Sequence, residues 1–104
     1  MSKTLFLVFR EPGPAWIGGW PTRRQPLWDE HALFIDRLFE QGRIIMAGPY
    51  ADCSRALLIV QAGSKVEASE LFRDDPWTRA GVLCESDVVE WTVFLDAHRS
   101  PKND

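Results

Sequence analysis

TLFLVFR, residues 4–10, contains five consecutive apolar side chains between polar ends. A short apolar run of this kind is typical of a buried strand. A strand with one face in solvent alternates apolar and polar residues, whereas this stretch does not alternate. ALLIVQA, residues 56–62, has the same uniform pattern. We therefore expect two central strands whose side chains need cover on both faces of a sheet.

Glycine, proline and capping residues divide the first half of the chain. A loop rich in Pro and Gly at 11–25 follows the first strand. Pro26 fits the first position of a helix that runs to about Gln41, where Gly42 ends it. RIIMAG (43–48) is predicted as a strand and PYADCSR (49–55) as a turn before the strand at 56–62.

The second half begins with a capping box, Ser64-Lys65-Val66-Glu67, which predicts a second helix. This helix is expected to end near Asp74 and Asp75, because Pro76 disfavours helical geometry in the preceding residue. WTRAG, residues 77–81, is expected to be irregular. The last strand is predicted at 86–96, with one face made of Val89, Trp91, Val93 and Leu95.

The resulting order, β-α-β-β-α-β, predicts an α+β fold, a ferredoxin-like sandwich with antiparallel strand order 4-1-3-2. Residues 1–97 are expected to form one domain, followed by a polar tail at 98–104. Two helices can cover only one face of this sheet. Because an apolar face left open marks an interface, we expect a homodimer that packs sheet against sheet.

LWDEHALFIDRLFEQG, residues 27–42, predicts an amphipathic helix with His31 near the middle of its apolar side. The strand directions bring His31 to the same end of the domain as Asp75, Arg10, the 11–25 loop and the turn after the second strand. A carboxylate next to a histidine can fix the imidazole tautomer and leave the other ring nitrogen as a general base or acid. Alternatively, His31 is a hydrogen-bonded core residue and Asp75 only a turn residue.

Composition excludes several classes of function. The net charge is −3 and Lys and Arg are dispersed, so a nucleic-acid partner is not expected. No apolar run reaches membrane-spanning length, and the first residues lack the features of a signal peptide, which favours a cytoplasmic location. Cys53 and Cys84 lack metal-ligand spacing and are expected to be free thiols. We expect neither a metal nor a cofactor.

Several motifs in this order resemble the YCII-related (YciI-like) family over nearly the whole chain. They are the histidine of WDEHALFIDRLFEQG, the AGP at 47–49, the RALLIV at 55–60 and the DDPWTRAGVL at 74–83. The resemblance implies a dimeric α/β-barrel form of the ferredoxin-like fold and an active-site pair that corresponds to His31 and Asp75. One branch of the family resembles dehydrochlorinases that act on chlorinated hydroxyhydroquinones. The long Trp-rich loop at 11–25 departs from compact family members.

Without a marked nucleophile, this pair fits elimination or isomerisation of a small organic compound better than acyl transfer. Tryptophans would suit a flat or aromatic molecule, and arginines an anion. Beside the pair, the candidate substrate-binding residues are Arg10, Trp16, Trp20, Arg23, Arg24, Trp28, Pro49, Ser54 and Trp77. The alternative function is a non-catalytic ligand-binding or interaction module built as a homodimer.

Overall fold

A computed structural model describes residues 4–97 of the chain. Four antiparallel strands form one sheet in the order β2-β3-β1-β4, which confirms the predicted order read from the opposite edge. The elements in chain order are β1 (Thr4–Pro12), α1 (Trp28–Glu40), β2 (Ile44–Pro49), β3 (Ala56–Ala62), α2 (Lys65–Glu70), α3 (Pro76–Ala80) and β4 (Leu83–Trp91), with a 3₁₀ turn at Thr22–Arg24. The predicted tail at 98–104 lies outside the described residues.

Alternate residues of the strands form the main core. Because successive side chains of a strand point to opposite faces, Phe6 and Val8 of β1 lie on the helix-covered face with Val60 of β3. The helices contribute Leu38, Ala68, Leu71 and Phe72 to the same apolar cluster. This face of the sheet is therefore the one on which the site-bearing helices pack.

The second sheet face carries apolar side chains without helices over them. It consists of Leu5, Leu7, Phe9, Leu57 and Ile59, all half-buried, with the more exposed Val89 and Trp91 of β4. Leu7 lies at its centre, paired with Ile59 on one side and Val89 on the other. Both central strands are apolar on both faces, as the lack of alternation predicts.

The last strand is displaced from its predicted position. β4 covers Leu83–Trp91 rather than 86–96, because its ladder with β1 runs from the pair Pro12–Leu83 to the pair Leu5–Trp91. β4 is an edge strand with β1 as its neighbour, so it ends where β1 begins. Leu95 lies beyond the ladder and is 94% exposed, which corrects its assignment to a strand face.

The first helix begins later than predicted. α1 starts at Trp28, preceded by Leu27 with a left-handed backbone (φ 62°), so Pro26 lies outside the helix and does not occupy its first position. The helix end near Gln41 agrees with the prediction: Gly42 has a φ of 77°, a conformation that favours glycine.

The region predicted as one helix followed by an irregular piece contains two helices. The Ser64 hydroxyl accepts a hydrogen bond from the Glu67 amide, so the predicted cap is confirmed, but α2 already ends at Glu70. Pro76 then begins α3, since a proline at the first helical position loses no helical hydrogen bond. Gly81, with a φ of 75°, ends α3. The expectation that 77–81 is irregular was wrong.

Candidate active site

Asp75 is the centre of a buried polar cluster. It caps the N-terminus of α3, where its Oδ1 accepts a hydrogen bond from the Trp77 amide at 2.9 Å. His31 Nδ1 lies 2.9 Å from both carboxylate oxygens, and Arg10 Nη1 donates to Oδ2 at 2.8 Å. The Asp75 side chain is fully buried. The Asp75 carboxylate therefore links β1, α1 and α3 through hydrogen bonds.

Trp77 fixes the position of the imidazole. The His31 ring stacks on the Trp77 indole with centroids 3.8 Å apart and planes within 8° of parallel. The indole Nε1 donates a hydrogen bond of 2.6 Å to the Pro26 carbonyl, just before the helix that carries His31. Left-handed Leu27, whose carbonyl accepts from the His31 amide at 2.9 Å, makes the turn between them. The indole thus holds both the ring and the start of α1.

Arg10 is buried behind the carboxylate, with 1% of its surface exposed. Besides Asp75, its guanidinium donates to the Thr78 hydroxyl and to the Leu83 carbonyl. The guanidinium also lies over the Phe72 ring, 5.4 Å from its centroid. The charge of Arg10 is therefore paired inside the protein with the buried carboxylate of Asp75.

The pKa of Asp75 is set by opposing effects. Burial raises the pKa of this carboxyl, but the hydrogen bond and charge of His31, the hydrogen bond from Arg10 and the amide of Trp77 together lower it below the ordinary value of 3.8. Asp75 is consequently ionised at neutral pH. A neutral His31 then carries its proton on Nδ1, facing the carboxylate, and its Nε2 has a free lone pair.

A cavity of about 230 Å³ adjoins this cluster. His31, Trp16, Trp28 and Trp77 contribute aromatic rings to its wall. Trp77 lies 5.9 Å from Trp16 and 5.6 Å from Trp28, measured between ring centroids. The opposite side comes from β2 and β3 and includes Gly48, Pro49, Ala56 and Leu58. The imidazole thus borders a mainly apolar, aromatic space in which a flat ring can stack.

The loop after β1 is held in place by Gln25. This side chain is 3% exposed; its amide NH₂ donates to the carbonyls of Ile17 and Trp20, and its carbonyl oxygen accepts from the Ile17 amide. Gly13 packs the loop closely against the end of α3. A Cβ on residue 13 would lie 2.2 Å from the Gly81 carbonyl oxygen, so this close approach requires glycine. These contacts let the loop present Trp16 to the cavity.

The predicted substrate-binding residues divide into two groups. Arg10, Trp16, Trp28, Pro49 and Trp77 line the cavity with His31. Trp20, Arg23, Arg24 and Ser54 are not among the residues that line it. The 3₁₀ turn directs the Arg23 guanidinium over the Trp28 ring, 6.0 Å from its centroid, and Trp20 is 52% exposed. The Ser54 amide donates to the Asp52 carboxylate within a tight turn.

Three polar residues at the cavity were missed as candidates: Thr22, Cys53 and Arg55. Cys53 and Arg55 belong to the 49–55 turn, which the topology had already assigned to this end of the domain, so their position was the available signal. Cys53 has a left-handed backbone (φ 60°), and its Sγ lies 3.9 Å from the Thr22 hydroxyl. Cys53 and Cys84 are both free thiols, as predicted.

Within the part of the chain that the structure covers, residues 4–97, no group of His, Cys, Asp and Glu has the arrangement of a metal site. None of the helices in that same range has the length and apolar character needed to cross a membrane.

Comparison with known proteins identifies the family. The model of the YCII-related domain matches residues 4–92, so the chain belongs to the YCII-related family. The uncharacterised protein YjpA of Bacillus subtilis (strain 168) is 34% identical over 63 residues, which are 61% of this chain and 73% of YjpA.

A solved structure shares the fold. It is 5-chloro-2-hydroxyhydroquinone dehydrochlorinase from Burkholderia phenoliruptrix AC1100, in complex with 2,5-dihydroxybenzoquinone. The TM-score is 0.64 at 26% sequence identity, and the match covers 85% of this chain and 93% of that chain.

Proposed function

We propose that this protein is an enzyme in which His31 transfers a proton to or from a small, flat organic compound, with Asp75 as the residue that orients it. The observation that carries the proposal is the contact of Nδ1 with both oxygens of a buried carboxylate, on an imidazole that borders a cavity. Nδ1 is occupied by Asp75, so Nε2 is the atom available to a ligand as base, and as acid once protonated.

The reaction class that this arrangement favours is elimination or isomerisation. Both need a proton removed from one atom and delivered to another or to solvent, which one imidazole can do. Among the described residues, the hydrogen-bond partner of the Cys53 thiol at the cavity is the Thr22 hydroxyl, which is not a base that could activate it as a nucleophile for acyl transfer. The similar dehydrochlorinase, which holds a flat dihydroxybenzoquinone, supports a ring-shaped substrate for this aromatic-walled cavity.

The test uses thermal shift to screen small aromatic and carboxylate compounds, followed by turnover assays on those that bind. His31→Ala is expected to abolish turnover and leave the protein folded, because the variant loses the proton carrier. Asp75→Asn is expected to slow turnover and keep ligand binding, because it disturbs orientation and charge rather than the cavity wall. Leu33→Ala, an exposed position on the same helix, is the matched control and should behave as wild type.

Three outcomes would contradict this proposal. If a compound turns over equally well with His31→Ala, the imidazole does not carry the proton. If compounds bind but none reacts, the protein is the alternative, a ligand-binding module. If nothing binds and His31→Ala only lowers the melting temperature, His31 is a core residue whose removal leaves a cavity.

We also propose that the protein works as a cytoplasmic homodimer formed through the second sheet face. The apolar side chains of Leu7 and Ile59 at its centre are what a second copy would cover. Light scattering at micromolar concentration should give about twice the chain mass of 11.9 kDa. Leu7→Lys should reduce this value to the monomer mass, whereas Phe39→Lys, exposed on α1, should not. A wild-type monomer over that concentration range would contradict the dimer.

A further inference from the structure

Arg55 is the residue from which a more specific inference follows. It immediately precedes β3, and its carbonyl accepts a hydrogen bond of 2.8 Å from the Tyr50 amide, which closes the turn after β2. Its side chain is exposed to solvent and lines the cavity that His31 borders. A backbone-anchored arginine at the cavity rim is positioned to meet a ligand that enters.

Among residues 4–97, the charge of Arg55 has no ion-pair partner. The ion pairs that the structure shows among residues 4–97 are formed by Arg10, His31, Arg73 and Arg79, and Arg55 takes part in none of them. No Asp or Glu is among the described residues that line the cavity. An incoming anion would therefore meet a cation without competition from a carboxylate in the wall.

The other arginines predicted to bind an anion are either paired with Asp75 or lie outside the cavity wall. Arg10 lines the cavity, but its guanidinium is bound to Asp75. Arg23 and Arg24 do not line the cavity, and Arg23 lies over the ring of Trp28 instead. Among the described lining residues, Arg55 is thus the arginine whose charge is not already used.

We propose that Arg55 binds a carboxylate carried by the ligand and so makes the cavity specific for planar aromatic carboxylates. A guanidinium forms two parallel hydrogen bonds with a carboxylate, which fixes orientation as well as charge. The tryptophans would hold the ring while the carboxylate is fixed at the rim, and the orientation would present one ring position to His31. This inference rests on the proposed function, because it assigns the substrate class of the same site.

The experiment compares two probes of nearly equal shape, 2,5-dihydroxybenzoate and its neutral amide, 2,5-dihydroxybenzamide, by isothermal titration calorimetry. Wild type should bind the carboxylate about tenfold or more tightly than the amide, as expected for a charge-assisted hydrogen bond. Arg55→Met should abolish this preference and leave amide affinity unchanged. Arg55→Lys should keep part of the preference, since it retains the charge but not the paired donors. Arg37→Met, on the exposed side of α1, is the control and should retain all of it.

A preference that persists in Arg55→Met, or no preference in wild type, overturns the role of Arg55. Failure of both probes to bind overturns the assigned ligand class. Neither result tests the proposed function, because that proposal is decided by whether His31→Ala retains turnover. If Arg55→Met changes the ratio of carboxylate to amide affinity while His31→Ala keeps full turnover, then Arg55 binds the anion and His31 does not carry the proton.

Discussion

The protein buries two clusters that differ in kind. The one between the sheet and the helices is apolar throughout, with Phe6, Val8 and Val60 at most 2% exposed. The one at the other end of β1 surrounds Trp77, Val82 and Leu83, and it contains the charges of Arg10 and Asp75. Both lie on the same sheet face, and β1 contributes to each.

The difference separates what stabilises the fold from what the site requires. Apolar burial is the main favourable contribution to folding. A buried ion pair loses hydration on both partners, and apolar residues of similar volume often replace it without loss of stability. The charged cluster is therefore a poor way to stabilise this end of the domain, and a good way to hold one imidazole against one ionised carboxylate. Such departures from an apolar interior concentrate at functional sites.

The largest effect that would test this comparison comes from removing Asp75. Asp75→Ala leaves the Arg10 guanidinium buried without its partner and removes the cap of α3. We expect a loss of about 3–5 kcal/mol in the free energy of unfolding, the range for a broken buried pair. Urea unfolding followed by tryptophan fluorescence measures this loss.

The double variant Asp75→Ala/Arg10→Met sharpens the test. Because it removes the unpaired charge as well, it should be more stable than Asp75→Ala alone, which is the signature of two coupled residues. Phe6→Ala in the apolar cluster is the comparison: it should cost about 3–5 kcal/mol through a cavity, and Arg10→Met should not restore any of it. A loss of only about 1 kcal/mol for Asp75→Ala, the value of a cap alone, would refute the buried-charge explanation.

The apolar cluster is also the part that the sequence predicted well. Uniform apolar runs at 4–10 and 56–62 indicate central strands from local pattern alone, and the strand directions then bring His31 towards Asp75 across 44 positions. The contacts that organise the site gave a weaker signal. The strand directions bring Arg10 and Asp75 to the same end of the domain, but nothing in the sequence indicates that the Arg10 guanidinium pairs with this carboxylate, 65 positions away.

The remaining prediction errors arise where the local sequence is compatible with more than one structure. Pro76 can end one helix or begin the next, and the cap formed by Asp75 decides for the second, which only the structure reveals. Gln25 binds backbone groups of its own loop, and such contacts depend on a loop conformation that pattern does not specify. The sequence prediction assigned the cations of the site to β1 and the 11–25 loop, whereas Arg55 lies in the 49–55 turn, which also lines the cavity.

The smallest expected effect is a change in the free energy of unfolding at acid pH. It tests the charged cluster and leaves every contact of the apolar cluster in place. The pKa of Asp75 in the folded protein lies below its ordinary value of 3.8, since the lowering by His31, Arg10 and the Trp77 amide outweighs the raising by burial. A carboxyl with a depressed folded pKa adds stability above its unfolded pKa, and this contribution is lost as the pH falls through the folded pKa.

Asp75→Asn keeps an oxygen that can accept from the Trp77 amide but cannot ionise. We therefore expect the stability advantage of wild type over Asp75→Asn to shrink as the pH falls below about 4, where the unfolded carboxyl begins to bind its proton. Urea unfolding of both proteins at about pH 7 and about pH 3 measures the difference. Exposed carboxyls such as Asp74, whose pKa is lowered by a hydrogen bond from Arg79, are common to both proteins and cancel in the comparison. An advantage of equal size at both pH values would mean that Asp75 contributes to folding through packing and capping, and that its charge is not what the buried cluster maintains.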